Sequence, residues 1–281
     1  ARSVWLHLAK LNTSGLVLGE AGAARLAELS HLHPQWQLAA NERDEFSHWM
    51  SGTGDPDYED RRDVEVAPRK RRDLVQWLVK PQTERHPFHE DTWREVWRTR
   101  FFHSSCALCD LARQNIWPAG RWREALQVWS EDGMVLRSWR FAAPLVQSMP
   151  DMLVKELAHG VAWWLEAASK SIDQHEVILL HMCQRVLDLL LDEDAGIRGG
   201  DGEPIQQPVT AAINHPIGHV TQALINLWFK CDPNDGDGLP SDIVPLFTQL
   251  CDVRVQRFRH GRVLLAVQLI ALFRVDRQWT E

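Results

Sequence analysis

The segment Ser148–Asp194 constrains the fold of this chain more strongly than any other stretch. Apolar side chains recur at steps of three and four along its first half: Leu153, Leu157, Val161, Trp164 and Ala168. This spacing is the period of an α-helix. A second apolar row, formed by Val154, Ala158 and Leu165, widens the stripe. We therefore predict one long helix here, with Ser148 and Asp151 as a capping pair at its start.

The second half of this segment predicts another helix of the same design, which starts at a Ser171–Gln174 capping pair. Its polar side chains fall on one edge: His181, Gln184, Arg185, Asp188 and Asp192. A helix whose apolar face is this wide needs neighbours on more than one side. The two helices are therefore expected to form the middle of a stack of helices.

Most of the remaining chain also shows helical patterns and short links. The predicted helices span 2–11, 20–32, 34–50, 69–80, 90–102, 104–116, 121–130, 133–147, 209–229, 241–253 and 256–274. Almost no segment alternates apolar and polar residues, and no strict repeat length is visible. The predicted fold class is therefore all-α: an irregular α-solenoid of stacked helical hairpins, HEAT- or armadillo-like only in general architecture.

The expected domain organisation has three parts. Residues 1–50 form N-terminal helices, 51–68 a charged loop or insertion with a short strand at 64–66, and 69–281 the main helical-repeat domain. Further loops are expected at 195–208 and 231–240. The chain starts within one helical pattern and stops where another begins, so we expect it to be a fragment of a larger protein.

Composition indicates a well-packed cytoplasmic protein. Apolar residues make up 44% of the 281 residues, and the five cysteines fit reduced thiols better than a disulfide framework. No apolar run is long enough to span a membrane, and no secretory signal is visible. The formal charge of −7 argues mildly against nucleic-acid binding. Fourteen tryptophans are expected to pack between helix layers rather than to hold a ligand.

Two cysteines, Cys106 and Cys109, form a C-x-x-C sequence, with His103 before it and Asp110 after it. A zinc site needs four ligands, and the chain has no second pair. The surrounding pattern is helical and places both thiols on one apolar face. We therefore interpret them as small buried residues, with a metal or redox site as the alternative.

Other candidate metal ligands lie near the C-terminus. His215 and His219 are four residues apart, as in zinc-binding helices, but Pro216 replaces the glutamate that a zincin needs. Asn214 and Pro216 indicate a helix N-terminus instead. Asp232, Asn234, Asp235 and Asp237 resemble a calcium loop, yet Asp237 and Ile243 occupy the glycine and glutamate positions of that motif. A tight turn is the preferred interpretation.

The chain has one basic cluster. Its members are Arg61, Arg62, Arg69, Lys70, Arg71 and Arg72. Cations at the start of a helix oppose the helix dipole, so the cluster is a candidate site for an acidic partner or a phosphate. A solvated charged loop is the alternative interpretation.

The motifs of common enzyme sites are missing from the sequence. It has no phosphate-binding P-loop, no dinucleotide-binding glycine motif and no nucleophile elbow. We therefore assign no catalytic or cofactor-binding residue and expect no enzyme activity or cofactor in this chain. Two alternatives stay open: a metal-dependent hydrolase using His215, His219, Asp235 and Asp237, and a nucleic-acid-binding helical repeat using the basic cluster.

Five stretches carry a family resemblance: RWREALQVWSEDG, MPDMLVKELAHGVAWWLEAASKSID, NHPIGHVTQALINLWF, PNDGDGLPSDIVPLFTQLCD and RFRHGRVLLAVQLIALFRVD. They resemble a bacterial helical domain of unknown function that lies C-terminal to a sirtuin-like domain in defence-associated sirtuins, which are antiphage proteins. The resemblance covers about residues 117–281.

The resemblance implies a role in sensing and regulation. In that family, the sirtuin-like domain hydrolyses NAD after infection, and the helical part restrains it, helps to assemble it and recognises a phage structural protein. The enzyme's catalytic residues would lie in a domain outside this chain, so NAD would be the substrate of that domain alone. The expected partners are a phage structural protein and the chain's own effector domain. The chain could also form an oligomer. Membrane or nucleic-acid partners are not expected.

Overall fold

The computed structural model describes residues 2–13, 15, 17–38, 65–80, 91–172, 177–189 and 207–281. These residues form two compact units, one up to residue 38 and the other from residue 65 onward. Apart from an isolated parallel bridge between Glu65 and Asp91, the described residues contain helices and connecting segments but no strand. The prediction of an all-α chain is confirmed.

The first unit contains two helices, α1 (Arg2–Thr13) and α2 (Glu20–Leu32). Their contact buries Trp5 and Leu29, and the indole N–H of Trp5 donates to the Ser30 hydroxyl at 2.9 Å. The predicted helix at 34–50 is wrong at its start, because residues 34–38 form a turn and an irregular segment. The rest of that helix lies outside the described residues.

The second unit contains the remaining helices. They are α3 (Arg71–Val79), α4 (Trp93–Thr99), α5 (Phe101–Arg113), α6 (Ala119–Trp129), α7 (Val135–Gln147), α8 (Asp151–Glu156), α9 (Ala158–Ser169), α10 (Val177–Leu189), α11 (Pro208–Ile213), α12 (Pro216–Lys230), α13 (Val244–Leu250), a 3₁₀ turn (Gln256–Phe258), α14 (Arg259–Val267), α15 (Leu269–Val275) and α16 (Arg277–Thr280). None of the described helices is both long enough and apolar enough to cross a membrane.

The helices of this unit contact one another in two rows. One row runs α3–α5–α7–α10, and the other runs α4–α6–α9–α12–α14. Contacts between the rows include those of α4 with α5, of α7 with α9 and of α10 with both α9 and α12. The most extensive contact joins α9 to α12, which places α9 at the centre of the unit.

The apolar stripe predicted along the central segment is confirmed. Leu157, Val161, Trp164 and Ala168 are each at most 1% exposed. The single long helix predicted for them is wrong, however, because the chain turns at Leu157 between α8 and α9. The two pieces have different neighbours: α8 contacts α10, whereas α9 also contacts α6 and α12. Backbone hydrogen bonds continue across this point, from the Leu157 amide to the Leu153 carbonyl and from the Val161 amide to the Leu157 carbonyl, both at 2.9 Å.

The predicted capping role of Ser148 is also wrong. Ser148 lies at the end of α7, where its hydroxyl donates to the Leu145 carbonyl at 2.7 Å. Helix α8 starts after Pro150, whose fixed φ suits a helix start. The second predicted cap, between Ser171 and Gln174, lies partly outside the described residues.

Two other predicted helices are each interrupted once. The helix predicted at 209–229 breaks at Asn214 and His215, and the one predicted at 256–274 breaks at Gln268. At the first break the chain folds back closely, since a Cβ added at Gly218 would lie 1.7 Å from the Ala212 carbonyl oxygen. Only glycine fits there without a shift of the backbone.

The expected packing of tryptophan between helices is confirmed for most of the described indoles. A chain of ring contacts, with centroids 4.9–6.2 Å apart, joins Trp77, Trp93, Trp97, Trp129, Trp164 and Trp139. These residues come from α3, α4, α6, α7 and α9, so the indoles link both rows. The Trp164 N–H donates to the buried Ser138 hydroxyl at 2.9 Å. Trp163 is the exception, at 41% exposed.

A buried arginine closes one end of this aromatic chain. The Arg121 guanidinium lies 4.0 Å from the centre of a Trp77 ring and donates to Asp91 Oδ2 at 2.6 Å. The Arg121 and Asp91 side chains are only 1% and 6% exposed. Asp91 also accepts from the Trp93 amide at 3.0 Å, at the start of α4. The carboxylate thus compensates a buried cation and fixes the start of a helix.

Candidate interaction surface

An open groove of about 740 Å³ lies between α3 and α5. Most of the residues that line it are of charged or polar type: Arg71, Arg72, Val75, Gln76, Asp110, Arg113 and Gln114. The groove forms because α3 and α5 pack through Leu74, Leu78, Leu108 and other apolar residues, which turns their polar edges toward solvent. We call it the α3–α5 groove.

Arg71 in this groove has a structural partner. Its guanidinium donates two hydrogen bonds to the Asp110 carboxylate, one of them from Nε at 2.6 Å, and these bonds raise the pKa of Arg71. Asp110 reaches the first turn of α3 from the neighbouring helix and so offsets a cation that opposes the helix dipole. This partner explains how α3 tolerates a basic start.

The other described members of the predicted basic cluster are exposed. Arg69 and Lys70 precede α3, and Arg72 lies on the groove. Arg113, on α5, adds a further cation with a side chain 78% exposed, and its Nη1 lies 3.9 Å from Asp110 Oδ1. Arg61 and Arg62 lie outside the described residues.

The groove is therefore an anion-attracting surface. Three cations, Arg71, Arg72 and Arg113, line the groove, and Asp110 is the carboxylate among its described lining residues. Guanidinium groups bind carboxylates and phosphates in bidentate fashion, so the groove suits an acidic protein segment or a phosphate. Sequence reasoning named Asp110 only beside the C-x-x-C sequence and missed Arg113, because only the packing of α5 on α3 brings these residues close to the start of α3.

His215 holds the start of α12. Its Nδ1 accepts a hydrogen bond from the Ile217 amide at 3.1 Å, and its ring stacks on His260 with centroids 3.9 Å apart. Burial lowers the pKa of His215 to about 3, and the neighbouring His260 and Arg259 contribute in the same direction. The helix N-terminus predicted here is confirmed.

His219 contacts a different group of side chains. Its Nδ1 lies 2.7 Å from Glu166 Oε2 on α9, and its ring meets His159 edge to face at 5.1 Å. Burial would raise the pKa of Glu166, but its hydrogen bonds with His219 and Lys170 outweigh that effect and lower it. The two histidines of the candidate metal pair thus have separate partners.

Asp235 and Asp237 belong to a turn that is tied to the end of α15. Asp235 Oδ2 accepts from Arg274 at 3.0 Å, and Asp237 accepts from the Asn234 amide at 2.7 Å. Gly236 and Gly238 have φ values of 83° and 78°, which glycine adopts without strain. The tight turn predicted in place of a calcium loop is confirmed.

The interpretation of Cys106 and Cys109 as buried residues is wrong. Cys106 is exposed and Cys109 is half-buried. The buried face of α5 consists instead of Phe101, Ser104, Ala107, Leu108 and Leu111. Partial burial still raises the pKa of the Cys109 thiol, which makes it a weaker nucleophile at neutral pH.

Within the described residues, no three His, Cys, Asp or Glu side chains are placed to hold one metal ion. Comparisons with protein-family models, with curated proteins and with solved structures gave no match. The resemblance to the helical region of defence-associated sirtuins therefore stays a prediction from the sequence.

Proposed function

We propose that this chain is a cytoplasmic protein-interaction module that serves as the sensor and regulatory region of an antiphage defence protein. The sirtuin-like domain expected upstream would hydrolyse NAD, and this chain would restrain that domain until a phage structural protein binds. The family role rests on the resemblance described above. The α3–α5 groove is the observation that carries the interaction role.

We further propose that the two rows of helices are the two layers of an irregular α-solenoid. In such folds each unit packs mainly on its neighbours, and the outer faces remain available for partners. The α3–α5–α7–α10 row fits this description, because each of its helices contacts the next. In this proposal the groove lies on one layer of the solenoid and binds acidic protein segments.

A binding experiment tests this proposal. The purified chain is immobilised and exposed to a panel of purified phage structural proteins from capsid and tail. We expect at least one of them to bind, and the double variant Arg72→Glu with Arg113→Glu to weaken that binding by about tenfold or more. Failure of every panel member to bind would count against the sensor role.

A matched control separates the groove from general charge effects. Arg123 and Arg277 are also exposed arginines, at 52% and 72% of the side chain, and both lie away from the groove. Their double reversal to glutamate changes the net charge equally and should leave binding within about twofold. Equal losses from both double variants would assign the effect to net charge instead.

A different double variant, in the basic residues before and at the start of α3, tests nucleic-acid binding. If the basic cluster binds a labelled single-stranded oligonucleotide, the affinity should fall steeply as the salt concentration rises. The double variant Arg69→Glu with Arg72→Glu should lower the affinity as well. We expect no such binding at physiological salt, because the chain carries a net charge of −7. Salt-sensitive binding that these substitutions abolish would favour the nucleic-acid interpretation over ours.

A further inference from the structure

A second surface on the same row of helices combines exposed aromatic rings with arginines. Phe102 on α5 and Phe141 on α7 are 50% and 47% exposed, and their rings meet edge to face with centroids 4.9 Å apart. Leu136, at 58% exposed, and the exposed residues Arg137 and Arg140 lie on the same side of α7. We call these five residues the aromatic–arginine patch.

The spacing along α7 explains why these side chains share a face. Leu136 and Arg140 are four residues apart, as are Arg137 and Phe141, so each pair is adjacent on the helix surface. Ser138, Trp139, Ala142 and Ala143 between them are buried. The exposed face of α7 therefore alternates apolar and cationic groups.

Arg137 is held in position by the rings beneath it. Its guanidinium carbon lies 5.0 Å from the centre of the Phe102 ring and 5.3 Å from that of Phe101. Both distances are within the range of a cation–π contact. Because the side chain is already ordered, less conformational entropy is lost when an anion binds to it.

The charge of α7 is not balanced locally. The helix contains Arg137 and Arg140 but neither aspartate nor glutamate. In the part of the chain that the structure describes, no carboxylate pairs with either arginine, whereas Arg98, Arg121 and Arg185 all have acidic partners. A cationic patch on a chain with a net charge of −7 is a local feature that attracts carboxylates to this surface.

We propose that the aromatic–arginine patch docks an acidic segment of a protein partner, which places apolar side chains on Phe102, Leu136 and Phe141 and carboxylates on Arg137 and Arg140. This inference rests on the proposed function and names the class of partner segment. Aromatic residues, Phe included, and arginines are enriched at protein interfaces relative to the rest of the surface.

The geometry favours a protein over a nucleic acid at this patch. Bases bind by stacking on an open ring face. The Phe102 ring, however, is already contacted by Phe101, Phe141 and Arg137, and Leu136 is aliphatic. These surfaces suit the apolar side chains of a peptide.

A peptide selection on the full chain tests the proposal. A displayed library of random twelve-residue peptides is selected against the chain, and the enriched peptides are synthesised and titrated by fluorescence anisotropy. We expect enrichment of peptides that combine Asp or Glu with aromatic or aliphatic residues. Arg137→Glu with Arg140→Glu, and separately Phe141→Ser, should each weaken their binding by about tenfold or more.

The chain offers a matched control for these substitutions. Phe273 is 43% exposed, and Arg277 lies 5.3 Å from the centre of its ring, but this arginine pairs with Glu281 at 2.7 Å. Arg277→Glu and Phe273→Ser should therefore leave binding of the selected peptides within about twofold. Thermal melts of every variant check that a loss of binding is not a loss of folding.

Four outcomes would overturn the proposal. Selected peptides without acidic residues, or peptides whose binding survives the patch substitutions, would place the docking site elsewhere while leaving the interaction role intact. If a labelled oligonucleotide binds the chain and the same substitutions abolish that binding, the patch is a nucleic-acid site. A dimer in sedimentation experiments that Phe141→Ser dissociates would make it a contact between copies of the chain. The phage-protein panel tests the proposed function separately.

Discussion

Arg121 and Arg137 make the same kind of contact in opposite surroundings. Each places a guanidinium over an aromatic ring, with Arg121 at 4.0 Å from Trp77 and Arg137 at 5.0 Å from Phe102. Arg121 is 1% exposed and paired with Asp91 at 2.6 Å, whereas Arg137 is exposed and has no carboxylate partner among the described residues. Both arginines contact an aromatic ring, and they differ in whether a carboxylate also pairs with the guanidinium.

This comparison distinguishes arginines that stabilise the fold from arginines that can bind another molecule. A buried charge is tolerated only with a partner that replaces its hydration, and Asp91 is that partner for Arg121. An exposed arginine keeps its water and needs no internal anion, so its binding capacity stays open to another molecule. The presence or absence of an internal carboxylate therefore distinguishes the core arginine from the surface one.

Removal of the buried arginine should have the largest effect on stability. Arg121→Ala removes a buried cation that pairs with the Asp91 carboxylate at 2.6 Å, and we expect the free energy of unfolding to fall by about 3–5 kcal/mol. Urea unfolding followed by circular dichroism measures this change. A loss below about 1 kcal/mol would show that the Arg121–Asp91 pair contributes no more than a surface ion pair and would remove the distinction drawn here.

Acidification should have an intermediate effect, through a buried basic group, His215, that pairs with no carboxylate among the described residues. Histidines 159, 219 and 260 and Arg259 surround His215, and Glu166 pairs with His219. Because the pKa of His215 is lowered to about 3, the unfolded chain takes up a proton below about pH 6.5 while the folded chain does not. Stability should therefore fall as the pH drops, by about 2 kcal/mol between pH 7 and pH 5.

The substitution His215→Asn isolates this contribution. Asparagine keeps a side-chain acceptor for the Ile217 amide but does not titrate. Urea unfolding at both pH values should show a smaller loss for this variant than for the wild-type chain. His181→Asn, at an exposed position on α10, serves as the control and should retain the wild-type loss. Equal losses in all three proteins would contradict the assignment to His215.

Removal of the surface arginine should have the smallest effect on stability. Arg137→Ala deletes one exposed cation–π contact, and we expect the free energy of unfolding to change by less than about 1 kcal/mol. The same urea experiment measures it beside Arg121→Ala. A loss as large as that of Arg121→Ala would make Arg137 a structural residue and weaken its role in docking.

Local periodicity was enough to predict much of the fold. The buried faces around Val161 and Trp164, the turn at 231–240 and the start of α12 at Pro216 all follow from spacing and turn chemistry. The interruptions at Leu157 and Gln268 did not, because neither residue is a proline or a glycine that would mark the end of a helix. Periodicity describes a face but not the direction of the chain.

The candidate surfaces were less predictable than the fold. The basic residues before and at the start of α3 were visible as a cluster, but Asp110 pairs with Arg71 from 39 residues away. Arg137 and Phe102 meet only because α5 packs against α7. A sequence shows which residues are charged or aromatic, whereas the pairing between helices decides which of them remain open to a partner.

The connected indoles of the second unit have a spectroscopic consequence. Neighbouring rings 4.9–6.2 Å apart can pass excitation from one to the next, so light absorbed by Trp77 need not be emitted by it. The intrinsic emission of the folded chain should consequently be strongly depolarised. Opening of this unit would separate the rings and stop this transfer, so a change in emission anisotropy would provide an unlabelled optical signal for the opening.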